Sequence, residues 1–170
     1  MKRARLLVMG GAILALAIPA AIANAGSGTP RATGGGQILI GEKPGNGLGA
    51  GDTISFTAQD RASNLGQVQY VDRSGGIGKN GVTYHGTVSC FELVGTNAAK
   101  MAGTWTNGPH TGDHFNLYAE DNGEGVNASD SDMIFIDSMV DTDECGDFDT
   151  PDEDDQLDLA RGNVQVYDGS

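Results

Sequence analysis

Ten of the 18 residues from Asp141 to Asp158 are carboxylates, the densest set of metal-ligating side chains in this 170-residue sequence. Clustered Asp and Glu oxygens suit a hard cation, and Ca²⁺ accepts several such oxygens from a flexible loop. Asp141, Asp143, Asp147, Asp149 and Asp152 are the candidate Ca²⁺ ligands. Asp141, Asp143 and Asp152 even fall at the first, third and twelfth positions of an EF-hand frame, with Gly146 at the sixth. Cys145 at the fifth position, Asp in place of the closing Glu, and the lack of flanking helical periodicity exclude the EF-hand itself. The plainer reading is an acidic loop that water solvates and Cys145 tethers. Asp121-Asn122-Gly123-Glu124-Gly125, with Asp130 and Asp132 nearby, is also rich in oxygen but reads more simply as an Asn-Gly turn.

His85, His110 and His114 are the imidazoles of the chain. His85 alternates onto one strand face with Thr83, Thr87 and Ser89, and His114 onto another with Asn116 and Tyr118. If those faces turned inward, His85, His114 and Tyr118 would line a small ligand pocket. A histidine and a carboxylate there could act as acid and base in an isomerase- or cyclase-type enzyme. Faces turned to water are the competing reading. The spacing His110-x₃-His114 would suit zinc on a helix, but Pro109 and Gly112 break a helix there. No GxSxG elbow or HExxH pair occurs. Gly76-Ile77-Gly78-Lys79-Asn80-Gly81 matches GxGxxG but lies between strand patterns, so it reads as a hairpin loop. Asn127-Ala128-Ser129 is a glycosylation sequon. Trp105, with Tyr84 and Tyr118, has the chemistry to stack on a sugar, though a single Trp is more often core. No catalytic set is assigned.

Cys90 and Cys145 are the two cysteines. Without CxxC spacing, redox or metal chemistry is a poor fit, and one disulfide is expected. Closing so long a loop stabilises by roughly 4 kcal/mol in the chain-entropy model. Cys90 stands in an apolar run and Cys145 in the acidic one, so the bridge would pin the acidic segment to the core.

An oxidised pair agrees with the N-terminus. Lys2, Arg3 and Arg5 precede an apolar stretch from Leu6 to Ile22 and the small-residue site Ala23-Asn24-Ala25. That is the layout of a cleaved secretory signal peptide over residues 1–25. Gly10, Gly11 and Pro19 interrupt the stretch, so a retained membrane anchor is a weaker reading. Cleavage leaves seven basic against 23 acidic residues, a formal charge of −16. Such a chain repels phosphate backbones and anionic lipid, which argues against nucleic acid or membrane as partners.

The remaining residues must build the elements that hold these groups. Asn-Gly pairs at 46–47, 80–81, 107–108 and 122–123 supply the positive φ of tight hairpin turns. Between them, apolar residues recur with period two. Ile54, Phe56 and Ala58 share a face, as do Val68 and Tyr70, then Val82, Tyr84, Val88 and Cys90, then Phe115, Leu117 and Ala119, and Val164 and Val166. The pattern predicts short strands at 37–40, 53–60, 67–72, 82–89, 91–95, 98–106, 114–120, 133–138 and 163–167. The fold class is all-β: a small antiparallel meander barrel of about eight strands, with a β-sandwich as the alternative. Closure would remove exposed edges, and pairing of the first and last strands would provide it. Residues 26–34 are expected to be a short flexible leader and 35–169 a single domain carrying the acidic loop 141–158.

Five phrases, in order, carry a family resemblance: ATGGGQI from Ala32, YHGTVSC from Tyr84, VGTNAAKMAG from Val94, AEDNGEG from Ala119 and RGNVQVYD from Arg161. Together they resemble the post-COAP domain, a small β module of secreted and surface proteins in actinobacteria and other bacteria. The resemblance covers about residues 33–168 and implies export and an all-β fold. It implies no reaction and no ligand. The acidic stretch after Val140 departs from the family pattern.

The expectation is a secreted, monomeric, non-catalytic β-domain that binds an extracellular or cell-envelope ligand. A Ca²⁺-stabilised version and a small barrel enzyme using His85 or His114 are the alternatives.

Overall fold

The computed structural model describes residues 28–38, 51–63, 65–73, 81–123, 131–152 and 155–170. The expected signal peptide, the sequon, the Asn46-Gly47 turn and most of the GxGxxG segment lie outside the described residues. Eight strands follow in chain order among those described: β1 Arg31–Ile38, β2 Thr53–Gln59, β3 Gly66–Asp72, β4 Val82–Val94, β5 Ala98–Asn107, β6 His114–Glu120, β7 Met133–Val140 and β8 Leu157–Tyr167. Each pairs antiparallel with the next, and β1 pairs with β8, closing the barrel.

Alternation decides which side chains enter. Ile54 and Phe56 of β2, Val68 and Tyr70 of β3, Met101 and Trp105 of β5, and Phe115 and Leu117 of β6 fill one core. An aromatic row from Tyr70 through Tyr84 and Trp105 to Phe115 runs through it, with ring centroids 6.2, 5.6 and 4.6 Å apart. Gly86 and Gly103 make room for it. A Cβ on Gly86 would stand 2.5 Å from the Phe115 ring, and one on Gly103 would stand 2.8 Å from it.

The first and last strands meet, from Arg31↔Tyr167 to Gln37↔Arg161, but β1 begins at Arg31 and not at the expected residue 37, so residues 163–167 pair with 31–35. Gly36 lies opposite Gly162 there, and a Cβ on Gly36 would approach the Arg161 carbonyl oxygen to 2.1 Å. The glycine run of β1 is therefore a requirement of close strand approach. Residues 31–34 belong to β1, so the leader expected over 26–34 is shorter. The acidic segment likewise ends before Leu157, where β8 begins.

One seam is different. β7 and β8 pair at two positions among the described residues, Met133↔Asp158 and Ile134↔Leu157. Beyond them two carboxylates take the place of a partner strand. Asp132 accepts from Val164 N–H at 2.5 Å and Asn122 N–H at 3.0 Å, and Asp121 accepts from Val166 N–H at 3.2 Å. These side chains satisfy β8 backbone donors that the short ladder leaves over.

Residues 82–89 and 91–95 form one strand, bent at an irregularity between Val88 and Cys90. Val88 opposes Gly103, Cys90 opposes Ala102 and Phe91 opposes Met101, so Ser89 is the extra residue. The insertion flips the phase: Phe91 packs on the core, whereas Cys90 leaves the face of Tyr84 and Val88. This corrects the expectation that Cys90 shares that face.

Candidate functional site

Outward-facing residues of the strands form two rungs across the barrel wall. Gln165, Thr33, Thr57, Gln67, Thr87 and Thr104 stand in register on six adjacent strands from β8 through β1 to β5. Asn163, Gly35, Ser55, Gln69, His85 and Asn107 form the second rung. Every side chain in both rungs is uncharged and polar, with His85 the one titratable group. Over β1 to β4 the rungs enclose a groove of about 590 Å³, flanked by Thr106, whose hydroxyl donates to the His85 carbonyl at 3.1 Å. No carboxylate lines it. In a chain with 23 acidic residues, that face stands apart.

The three candidate pocket residues do not come together. His85 is exposed and lines the groove. His114 lies two strands away, its Nδ1 3.1 Å from the Thr104 hydroxyl. Tyr118 is buried beneath the acidic segment, with Ala98 and Phe148, and its hydroxyl donates to Glu120 at 2.9 Å. Burial, then the Glu120 contact, pushes the Tyr118 phenol up to about 12. The physical reason is the packed interior: both histidine faces turn outward because apolar side chains occupy the inside. Trp105 is core, donating to the Ser138 hydroxyl at 2.9 Å, and offers no stacking platform. His110 lies in the β5–β6 loop, 3.1 Å from Asp113, with its ring stacked on Tyr84.

The Cys90–Cys145 disulfide is present. It holds the acidic segment on the outer wall of β4–β7, and two further anchors assist. Ser89 donates to Asp143 at 2.8 Å, and Phe148 is buried against Phe135, Tyr118 and Ala98. The Lys100 ammonium donates to the Phe148 carbonyl at 2.6 Å and lies over its ring. Asp143 is hydrogen-bonded to Ser89 of β4, and Asp141 directly follows the end of β7. Asp147, Asp149 and Asp152 line a separate cavity with Asn116, Asp137 and Asp155. The expected Ca²⁺ set is thus divided between two places, and Phe148, the aromatic inside the acidic run, was the overlooked anchor.

A second polar feature carries no sequence motif. Asp52 and Asp72 are fully buried. Tyr70 donates its hydroxyl to Asp52, as does the Arg73 backbone N–H at 2.7 Å. Burial first, and then Asp52, hold the Tyr70 phenol far above its ordinary range, so it remains a donor. The signal was parity: Asp52 falls in phase with Ile54 and Phe56, Asp72 with Val68 and Tyr70, and Asp132 with Ile134 and Ile136.

Comparison with family models, curated proteins and solved structures finds no match for this chain. Among the described residues, no helix is long and apolar enough to cross a membrane.

Proposed function

We propose that this protein is an exported, non-catalytic binding module whose ligand face is the polar groove over β1–β4. The observation that carries the reading is the pair of uncharged rungs on a chain of strong negative charge. Excess carboxylates elsewhere keep the domain dispersed and repel anionic polymers. A patch stripped of charge but dense in hydroxyl and amide groups matches an uncharged, hydroxyl-rich ligand, and a neutral polysaccharide fits that chemistry. Gln67, Gln69, Thr57 and Thr87 each offer donors and acceptors on neighbouring strands about 4.8 Å apart. With no exposed aromatic in the groove, affinity comes from several weak hydrogen bonds along one chain. The disulfide and the signal-like N-terminus support export, and the five quoted phrases support kinship with the post-COAP domain.

Affinity electrophoresis tests this reading. Soluble neutral polysaccharides such as dextran, laminarin and xyloglucan in the gel should retard the protein, and an anionic one such as alginate should not. Gln67→Ala/Gln69→Ala should abolish the retardation without changing thermal stability. Retardation unaffected by that variant, or by no neutral polymer at all, overturns the proposal.

A further inference from the structure

We infer that the groove's polysaccharide is sparsely anionic: an uncharged chain with widely spaced anionic substituents, which Arg31 and Arg161 hold at either end of the β1 side. The inference rests on the groove reading above and narrows its ligand class. Thr33 and Gly35, the β1 members of the two rungs, lie between the arginines. Arg31 precedes Thr33 by two residues on the outward face of β1. Arg161 of β8 is the cross-strand partner of Gln37, two residues beyond Gly35. Six residues of β1 separate the two levels, about 20 Å of extended chain. Both arginines are exposed, and neither lines the groove itself.

Their charges run against the composition. Beyond residue 25 the sequence has 23 acidic residues against seven basic ones, so carboxylate partners abound. Among the described residues neither Arg31 nor Arg161 is ion-paired. Arg31 stacks instead on Tyr167, its partner across the β1–β8 ladder, with the guanidinium carbon 4.7 Å from the ring centroid. A stacked guanidinium keeps its N–H edge for a ligand. Asp168, next to Tyr167, turns its carboxylate to the Ser170 N–H at 2.9 Å. Arg73 differs, because its Nη1 donates to the Gly51 carbonyl at 2.6 Å and the Thr53 hydroxyl at 3.3 Å, so the fold itself uses it. Asp72 is the one acidic residue of β1, β2 and β3, and it is buried. No outward carboxylate of those strands therefore opposes an anion between the two arginines.

Spacing selects the ligand. A guanidinium recognises an oxyanion through a fork of N–H donors, and carboxylate and phosphate substituents share that chemistry. The rungs between the arginines offer hydroxyls and amides, which suit uncharged sugar. A polymer charged at every residue would lay anions on rungs that hold no permanent cation, and would meet the repulsion of the whole chain. A polymer without anions leaves both guanidiniums to water. One with anions about 20 Å apart engages both levels and keeps neutral sugar over the rungs. Arg31 and Arg161 are specificity-determining residues in this arrangement, and the rungs bind the neutral stretch.

Affinity electrophoresis of the protein in three forms of one soluble glucan tests this: unmodified, sparsely phosphorylated and sparsely carboxymethylated. The sparse forms should bind about tenfold more tightly than the unmodified one, each arginine contributing about threefold. NaCl at about 1 M, where the Debye length is about 3 Å, should remove the gain and leave the underlying retardation. Arg161→Gln and Arg31→Gln should each lose about threefold on the sparse forms and nothing on the unmodified glucan. Gln67→Ala/Gln69→Ala should lose binding to all three. If Arg31→Gln disturbs Tyr167, the exposed Arg161→Gln decides. A gain confined to one substituent supports the inference and identifies the anion. Equal affinity for unmodified and sparse forms, or a gain that survives Arg161→Gln, overturns the inference and leaves the groove reading standing. No retardation by any form overturns both.

Discussion

Replacing Asp132 with Ala should unfasten the β7–β8 seam. Its carboxylate is buried and accepts two backbone N–H groups, from Val164 of β8 and from Asn122 at the end of the β6 connection. Each hydrogen bond to a charged group contributes about 1.5–3 kcal/mol. Val164 is itself fully buried, so its N–H would be left without water or partner. Allowing for relaxation at Asn122, which is half-buried, the loss should be about 3–5 kcal/mol. That is a large share of the about 5–15 kcal/mol by which small domains are stable. Asp132→Asn retains one acceptor but turns an amide donor toward one N–H, and should lose about 2–3 kcal/mol. Urea unfolding of residues 26–170 measures both as shifts in midpoint, and hydrogen exchange locates them. The Val164 and Val166 amides should exchange faster than those of Phe56 or Leu117 as the seam opens. A loss below about 1 kcal/mol for Asp132→Ala, with Val164 protection intact, would refute the idea that a side chain substitutes for a strand partner.

Two further outcomes follow from the same geometry. The Cys90→Ala/Cys145→Ala variant should be less stable by about 4 kcal/mol, since the bridge spans 55 positions, while its circular dichroism stays that of a β protein; a loss under about 1 kcal/mol would mean that Phe148 and Lys100 suffice as anchors. Alkaline pH should also destabilise the fold. Tyr70 and Tyr118 are raised in the folded state, so it holds protons that the unfolded chain releases. Their contribution is intact below the ordinary tyrosine value of 10 and declines as pH rises from there toward about 12 and beyond. Unfolding free energies measured across that range, with tyrosine ionisation followed by ultraviolet difference absorbance, should fall together; Tyr118→Phe should flatten part of the decline.

The barrel was legible in the sequence because period-two alternation and Asn-Gly turns are local signals. Gly81, Gly108 and Gly123 all adopt the positive φ that the turns require. The pairing of β1 with β8 was legible because both end segments are short apolar alternations entered by glycine, Gly34–Gly36 at one end and Gly162 at the other. What failed was anything requiring a single-residue count across strands. The extra Ser89 reverses the phase of β4 and carries Cys90 outward, yet the composition around it changes little. The polar rungs were visible strand by strand as Thr, Gln and Ser, but their alignment into one uncharged face exists only after register is set. Asn116 carried no motif at all. Its environment comes from Phe148 and its neighbours, more than 30 positions away, folding over the β6 face.

The register of β1 against β8 also bears on when the molecule can form. Arg31 waits for Tyr167, the last residue of β8. Among the described strands β2 and β8 are the ones that flank β1, so a chain that lacks β8 carries an open ladder. Such long-range closure folds slowly compared with local hairpins. For the export proposed above, this is an advantage. A chain that cannot close its barrel until β8 is available stays threadable up to that point, and β8 acts as the completion signal.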